Sequence, residues 1–299
     1  MDTAAPKPEV LVNARARLGE GPCWHEPTRT LYWVDIHNHR VHHCDPTTGE
    51  NRFFEVGEVV GCLAPAGDYR LILARRHDLV FLDTTDGAVT PILQVEAPRP
   101  GVRFNDGKCD AAGRFWFGSA DPEGGTGCLY RFDPDRSLHR METGLFISNG
   151  LGWSPDQRTF YLTDTPRQTI YAYDFDLESG RIARRRPWVD LSGMGLFPDG
   201  LTVDREGCLW SAMWDGWCVV RFAPDGRERS RLGLPVQRPT CCTFGGADLG
   251  TLFITSASVG LSEAQIEKSF HSGDVFCVRG LAVGVPTYSF AGSDNVKAL

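Results

Sequence analysis

The chain has 299 residues, 41% hydrophobic and 23% charged, an ordinary composition for a folded protein in water and long enough to bury a large core. Its net charge of -7 argues against nucleic acid as a partner, because a phosphate backbone calls for a basic face. No apolar run reaches the ~18 residues of a membrane span. Met1 to Glu9 mixes prolines and charges without an apolar centre, so no secretory signal is expected and the chain reads as cytoplasmic.

Taken along the chain, the predicted elements are nearly all short strands: β-branched, aromatic and leucine runs set between turn residues. Val10-Leu11-Val12 comes first. A turn followed by an apolar pair or triplet and a small or polar residue then recurs. The copies are Leu31-Tyr32-Trp33, Leu71-Ile72-Leu73, Phe115-Trp116-Phe117, Phe160-Tyr161-Leu162, Leu209-Trp210-Ser211 and Leu252-Phe253-Ile254. Their first residues are 40, 44, 45, 49 and 43 positions apart, the length of a four-stranded propeller blade. Second strands follow short turns at Val41–Cys44, Cys128–Phe132, Ile170–Tyr173 and Val219–Phe222. The expectation is an all-β, six-bladed β-propeller of four-stranded antiparallel blades, one domain over residues 1–299. Val10–Val12 would close the ring against the last blade and leave no open edge. Ser262 to Lys268 is the single stretch with helical character.

Ten cysteines contain no Cys-x-x-Cys pair, and Cys241 and Cys242 are adjacent, so structural zinc spacings are missing. Reduced, buried thiols are expected.

The innermost strand of each blade should end about ten residues before its apolar triplet and point side chains at the axis. Glu20, Asn105, Asn149 and Asp199 stand at that phase in blades one, three, four and five. Blade two offers Gly61 or Cys62, and blade six Thr240. Taken singly, Asn-Asp-Gly and Asn-Gly are ordinary turns. Four oxygen-bearing side chains in phase point instead to one hard divalent cation on the axis.

The flanking motifs are Leu18-Gly19-Glu20-Gly21-Pro22-Cys23-Trp24, Arg103-Phe104-Asn105-Asp106-Gly107-Lys108-Cys109-Asp110, Ser148-Asn149-Gly150-Leu151-Gly152-Trp153-Ser154 and Pro198-Asp199-Gly200-Leu201-Thr202-Val203-Asp204. In this order the sequence resembles the SMP-30/gluconolactonase family, from about residue 15 to about 290. The resemblance implies that Glu20, Asn149 and Asp199 ligate one divalent metal: calcium, zinc, manganese, magnesium or iron(II). It implies that Asn105 meets the metal through water or substrate, that Arg103 hydrogen-bonds the substrate, and that Asp199 doubles as the base that activates water. The implied reaction is hydrolysis of a sugar lactone to its aldonic acid in carbohydrate catabolism. That chemistry needs a polarised carbonyl, an activated water and a stabilised oxyanion. A metal would depress the pKa of Asp199, so the carboxylate would be a weak base. Two other readings are a metal-dependent esterase or phosphotriesterase, and a non-catalytic propeller tied together by calcium.

The family's lid loop corresponds to Ala120-Asp121-Pro122-Glu123-Gly124-Gly125-Thr126-Gly127, where either Asp121 or Glu123 supplies the acid that contacts substrate. Asp35 reads as a hairpin residue. Asp164 reads either as a turn residue or as a pocket-facing carboxylate. His37, His39, His42 and His43 cluster around one hairpin, where exposure is the usual state and a surface zinc or nickel site is conceivable. The absence of a Gly-x-Ser-x-Gly elbow argues against a serine hydrolase. The partner expected is a small-molecule sugar lactone, with no membrane or nucleic acid, on a monomer or weak homo-oligomer.

Overall fold

Each apolar triplet forms the second strand of a four-stranded sheet whose first strand lines a central axis. This is seen in a computed structural model that describes residues 6–292; the ends of the expected 1–299 span, with the start of the Met1–Glu9 stretch, lie outside the described residues. Among the described residues there are six such sheets, all antiparallel, arranged as a β-propeller. The inner strands are Gly19–His25, Val60–Pro65, Arg103–Cys109, Ser148–Trp153, Phe197–Val203 and Pro239–Gly245. Glu9–Val12 joins the last sheet as its outermost strand, pairing with Val275–Arg279. The ring is therefore closed by its own N-terminal segment, as expected.

Burial follows strand position. The inner strands are buried almost throughout, whereas outer strands such as Arg181–Asp190 are largely exposed and carry the charges that protect a sheet edge. Apolar residues are packed between blades. Trp116 and Leu129 of the third blade meet Trp153, Phe160 and Tyr173 of the fourth, and equivalent clusters fill the other junctions. Burial of such side chains, at about 25 cal/mol per Å² of apolar surface, is the main force holding the ring together.

Two buried aspartates repeat one structural device. Asp110 accepts from Trp116 Nε1 at 2.9 Å and Asp204 from Trp210 Nε1 at 2.9 Å. Each also accepts backbone amides of its own turn. The expected helix is present as Glu263–Lys268, capped by Ser262 in a reciprocal pairing with Gln265. A short 3-10 turn, Thr165–Arg167, escaped sequence reading. All ten cysteines are free and buried, and among the described residues no helix is long and apolar enough to cross a membrane.

Candidate metal and substrate site at the hub

Every inner strand is bulged at the same phase. The register slips between Glu20 and Cys23, Val60 and Cys62, Phe104 and Gly107, Asn149 and Leu151, Pro198 and Leu201, and Pro239 and Cys241. A bulge sets two residues against one and re-aims the side chains beside it. Glycines allow this crowding: a Cβ on Gly150 would overlap the Asp199 carbonyl oxygen, and one on Gly61 the Phe104 carbonyl oxygen.

Glu20, Asn105, Asn149 and Asp199 are all buried, at 6%, 4%, 5% and 3% exposure. Asn149 Nδ2 donates to Asp199 Oδ1 and, at 3.1 Å, to Thr165 Oγ1. Thr165 in turn donates to Pro198 O at 2.8 Å. Glu20 Oε2 accepts from Gly21 N at 3.1 Å. Arg103 Nη1 donates to Asn105 Oδ1 at 2.6 Å, and Asn105 Nδ2 donates to Ser148 O at 3.0 Å. Asn105 thus has both amide ends engaged, and it orients Arg103.

Burial pushes the Glu20 carboxyl well above the usual carboxylate range, and the neighbouring Asp199 and Asp106 charges add to the shift. Burial likewise raises Asp199, with Asp106 second, against the opposing hydrogen bond from Asn149. Burial also raises Asp106, and the Lys108 ammonium opposes that rise. Three carboxylates therefore feel one another in a poorly solvated space. Sequence reading missed Asp106 and Lys108, although both stand in the motif around Asn105; the bulge that brings Asp106 close to the hub has no local signature.

The donor chemistry fits a hard divalent cation. The side chains present are carboxylates and amides, and the buried negative charge exceeds what Arg103 and Lys108 neutralise. The fit rests on two carboxylates with an amide, because among the described residues no trio of histidine, cysteine, aspartate and glutamate forms a metal-binding group. Asn149 Oδ1 accepts from Gly150 N at 3.1 Å while its nitrogen faces Asp199, so ligation through oxygen calls for a half-turn of the amide.

The remaining candidates resolve into structural roles. Thr240 Oγ1 donates to Gly19 O at 2.5 Å and Cys62 is buried in the core, so blades six and two supply no charged group at this phase. Asp35 accepts the amides of Arg17 and Leu18, and Asp164 those of Phe146 and Ile147; each fixes the chain entering an inner strand. In the lid loop both Asp121 oxygens are engaged, by Gly124 N at 2.9 Å and by Thr126, whereas Glu123 is exposed. The histidine hairpin is not simply exposed: His42 is buried and stacks on Trp33 at 3.8 Å, and His43 stacks on Phe54. Their strand, Arg40–Cys44, is third in its sheet and covered on both faces.

Residues 18–258 match a family model described as the SMP-30/Gluconolactonase/LRE-like region. The chain is 37% identical over 297 residues to regucalcin from Gallus gallus, across 96% of this chain and 99% of that one. It is also 37% identical over 290 residues to L-arabinolactonase from Azospirillum brasilense, across 95% of each. A solved structure described as a calcium-binding protein, regucalcin from Agrobacterium tumefaciens, superposes with a TM-score of 0.91 at 27% identity, across 94% of this chain and 96% of that one. By the family match over most of its length, and by relatives of this identity and coverage, the chain belongs to the SMP-30/gluconolactonase/LRE-like family.

Proposed function

We propose that this protein hydrolyses a sugar lactone to the open aldonic acid, using one divalent cation held by Glu20, Asn149 and Asp199. The observation that carries the reading is that two buried carboxylates from blades one and five converge at the axis, where the Asp199 charge raises the proton affinity of Glu20 and an amide from blade four bonds Asp199. A relative named L-arabinolactonase and a solved relative described as calcium-binding support the substrate class and the cation.

A bound cation supplies Lewis acidity, drawing electron density from the lactone carbonyl and offsetting the negative charge that develops on it. Asp199 accepts the proton of the attacking water. The water oxygen bonds to the carbonyl carbon, the ring C–O bond breaks, and the proton passes to the departing ring oxygen, giving acid and alcohol in one molecule. Arg103, fixed by Asn105, offers planar donors to the substrate's hydroxyls or ring oxygen. Glu123 is the lid acid free of loop duties, and it reaches for a sugar hydroxyl. The chain acts as one unit, as a monomer or weak homo-oligomer. It works in the cytoplasm, in keeping with ten free thiols.

The test is a pH-stat assay across a panel of aldonolactones, with and without chelator. The expected result is acid release that chelator abolishes and added cation restores. Turnover untouched by thorough chelation, or no turnover of any sugar lactone, overturns the reading.

A further inference from the structure

Each inner strand enters the ring at the end where the hub residues stand, and the turn between the second and third strands of its blade lies at that same end. In blade one Gly19 pairs with Asp35, and Ile36 N donates to Leu18 O at 3.0 Å. The turn carrying His37 therefore sits beside the strand that leads into Glu20. In blade two the turn after Arg75 carries Arg76, whose carbonyl oxygen accepts from Phe104 N of blade three at 3.1 Å, next to Arg103. Arg17 precedes Glu20 by three residues, and its backbone amide is held by Asp35 Oδ2 at 3.1 Å. One rim of the hub, spanning blades one to three, is thus built from Arg17, His37, Arg76 and Arg103.

The charges on this rim are one-sided. Burial lowers the pKa of His37, and the Arg103 and Arg17 charges lower it further, against Asp35. Burial also lowers Arg103; Glu20 and Asp199 oppose that shift, and the Arg76 charge adds to it. The carboxylates of the rim are already engaged. Asp35 holds the amides of Arg17 and Leu18 and the side chain of Asn38 at 2.7 Å. Glu58 holds Arg76 Nε at 3.0 Å and Val59 N at 2.7 Å.

Donors are left over. Among the described residues, both side-chain bonds of Arg103 leave from Nη1, Arg76 bonds through Nε, and the exposed Arg17 side chain makes no hydrogen bond or ion pair. Three guanidinium groups with unspent N–H donors, around one imidazole, suit an anion. A divalent cation in the hub would claim the Glu20 and Asp199 charges that balance Arg103, leaving the guanidinium without a counter-charge. The lid loop is held on the other side, where Asp121 N donates to Phe146 O at 2.7 Å at the entry to blade four.

We propose that Arg17, His37 and Arg76, together with Arg103, form a subsite for an anionic substituent of the lactone: a phosphate, sulfonate or carboxylate on a carbon remote from the carbonyl. The inference rests on the lactonase reading and narrows its substrate class.

The test measures kcat/KM for gluconolactone and 6-phosphogluconolactone on the calcium-loaded full chain, in the wild type, Arg17→Gln and Arg17→Lys. The wild type should prefer the phosphorylated lactone by about tenfold or more. That preference should fall about tenfold in Arg17→Gln, the scale of one charged hydrogen bond, and persist in Arg17→Lys. Raising the ionic strength should shrink the wild-type preference, because charges at an open rim are screened. An equal or reversed preference in the wild type overturns the proposal, as does a preference untouched by Arg17→Gln. Should Arg17→Gln fail to fold, the ionic-strength series decides in its place, and a salt-independent preference overturns the proposal. If the wild type hydrolyses neither lactone, the functional reading fails, and calorimetry with 6-phosphogluconate and gluconate still decides the anion claim. The phosphorylated acid should then bind about tenfold more tightly in the wild type, with the advantage lost in Arg17→Gln; equal affinities would overturn it.

Discussion

The Asn149 side chain donates from Nδ2 to Asp199 Oδ1 across 50 residues of sequence, joining the inner strands of blades four and five at the axis. Both residues sit beside bulges, so the contact depends on two neighbouring strands being distorted at matching positions. Replacing Asp199 by asparagine removes the base and one anionic ligand while keeping the shape. Hydrolysis should fall by about 10²- to 10⁴-fold, with an unchanged circular dichroism spectrum and cooperative melting. Near-normal turnover in this variant would refute the role given to Asp199.

Cation removal should have a pH-dependent effect on stability. Without the cation, Glu20 and Asp199 bind protons more tightly in the folded than in the unfolded chain. Their contribution is full below the ordinary carboxylate range and is lost as pH rises through their raised values. A bound cation favours the ionised forms and reverses this loss. The melting temperature difference between calcium-loaded and chelated protein should therefore widen from pH 5 towards pH 8. A difference that narrows over that interval would contradict the assignment.

Arg103→Lys keeps the charge and discards the planar fork that bonds Asn105 Oδ1 and the Phe104 carbonyl oxygen. Weaker lactone binding, with KM raised about tenfold, is expected from the loss of a charged hydrogen bond. Calcium affinity should change little. Steady-state kinetics beside calorimetry separate the two.

The lid acids should behave differently from each other. Glu123→Gln should alter the relative kcat/KM among lactones without changing loop protection in hydrogen exchange. Asp121→Asn should speed exchange at Gly124 and Thr126, whose amides it holds at 2.9 and 3.2 Å. The reverse pattern would assign the substrate contact to Asp121.

His42 supplies a stability prediction remote from the site. Burial lowers its pKa from 6.5 to about 4, while Asn51 Nδ2 bonds its Nδ1 at 3.0 Å. The neutral ring is favoured in the folded chain, so stability is full above pH 6.5 and drains as pH falls towards 4, by at most about 3 kcal/mol. His42→Phe should flatten that slope in chemical denaturation followed from pH 4 to 7. An unchanged slope would show that the imidazole does not titrate there.

The amino-acid order by itself determined the propeller. Six apolar triplets at blade-length intervals require second strands packed on both faces, and Val10–Val12 had the composition of a closing strand. It also marked Glu20, Asn105, Asn149 and Asp199 by their common phase, because an inner strand repeats its geometry in every blade. Only the tertiary structure decided what lay beyond that repeat. It drew Asp106 and Lys108 towards the axis through a bulge, turned Asp121 into a loop staple and Asp164 into a backbone anchor, and buried His42 against Trp33. The physical reason is that periodicity reports which way a regular strand faces. A bulge, a loop's internal hydrogen bonds and the charge balance of a buried site arise from contacts among residues of distant sequence, and those exist only once the ring has closed.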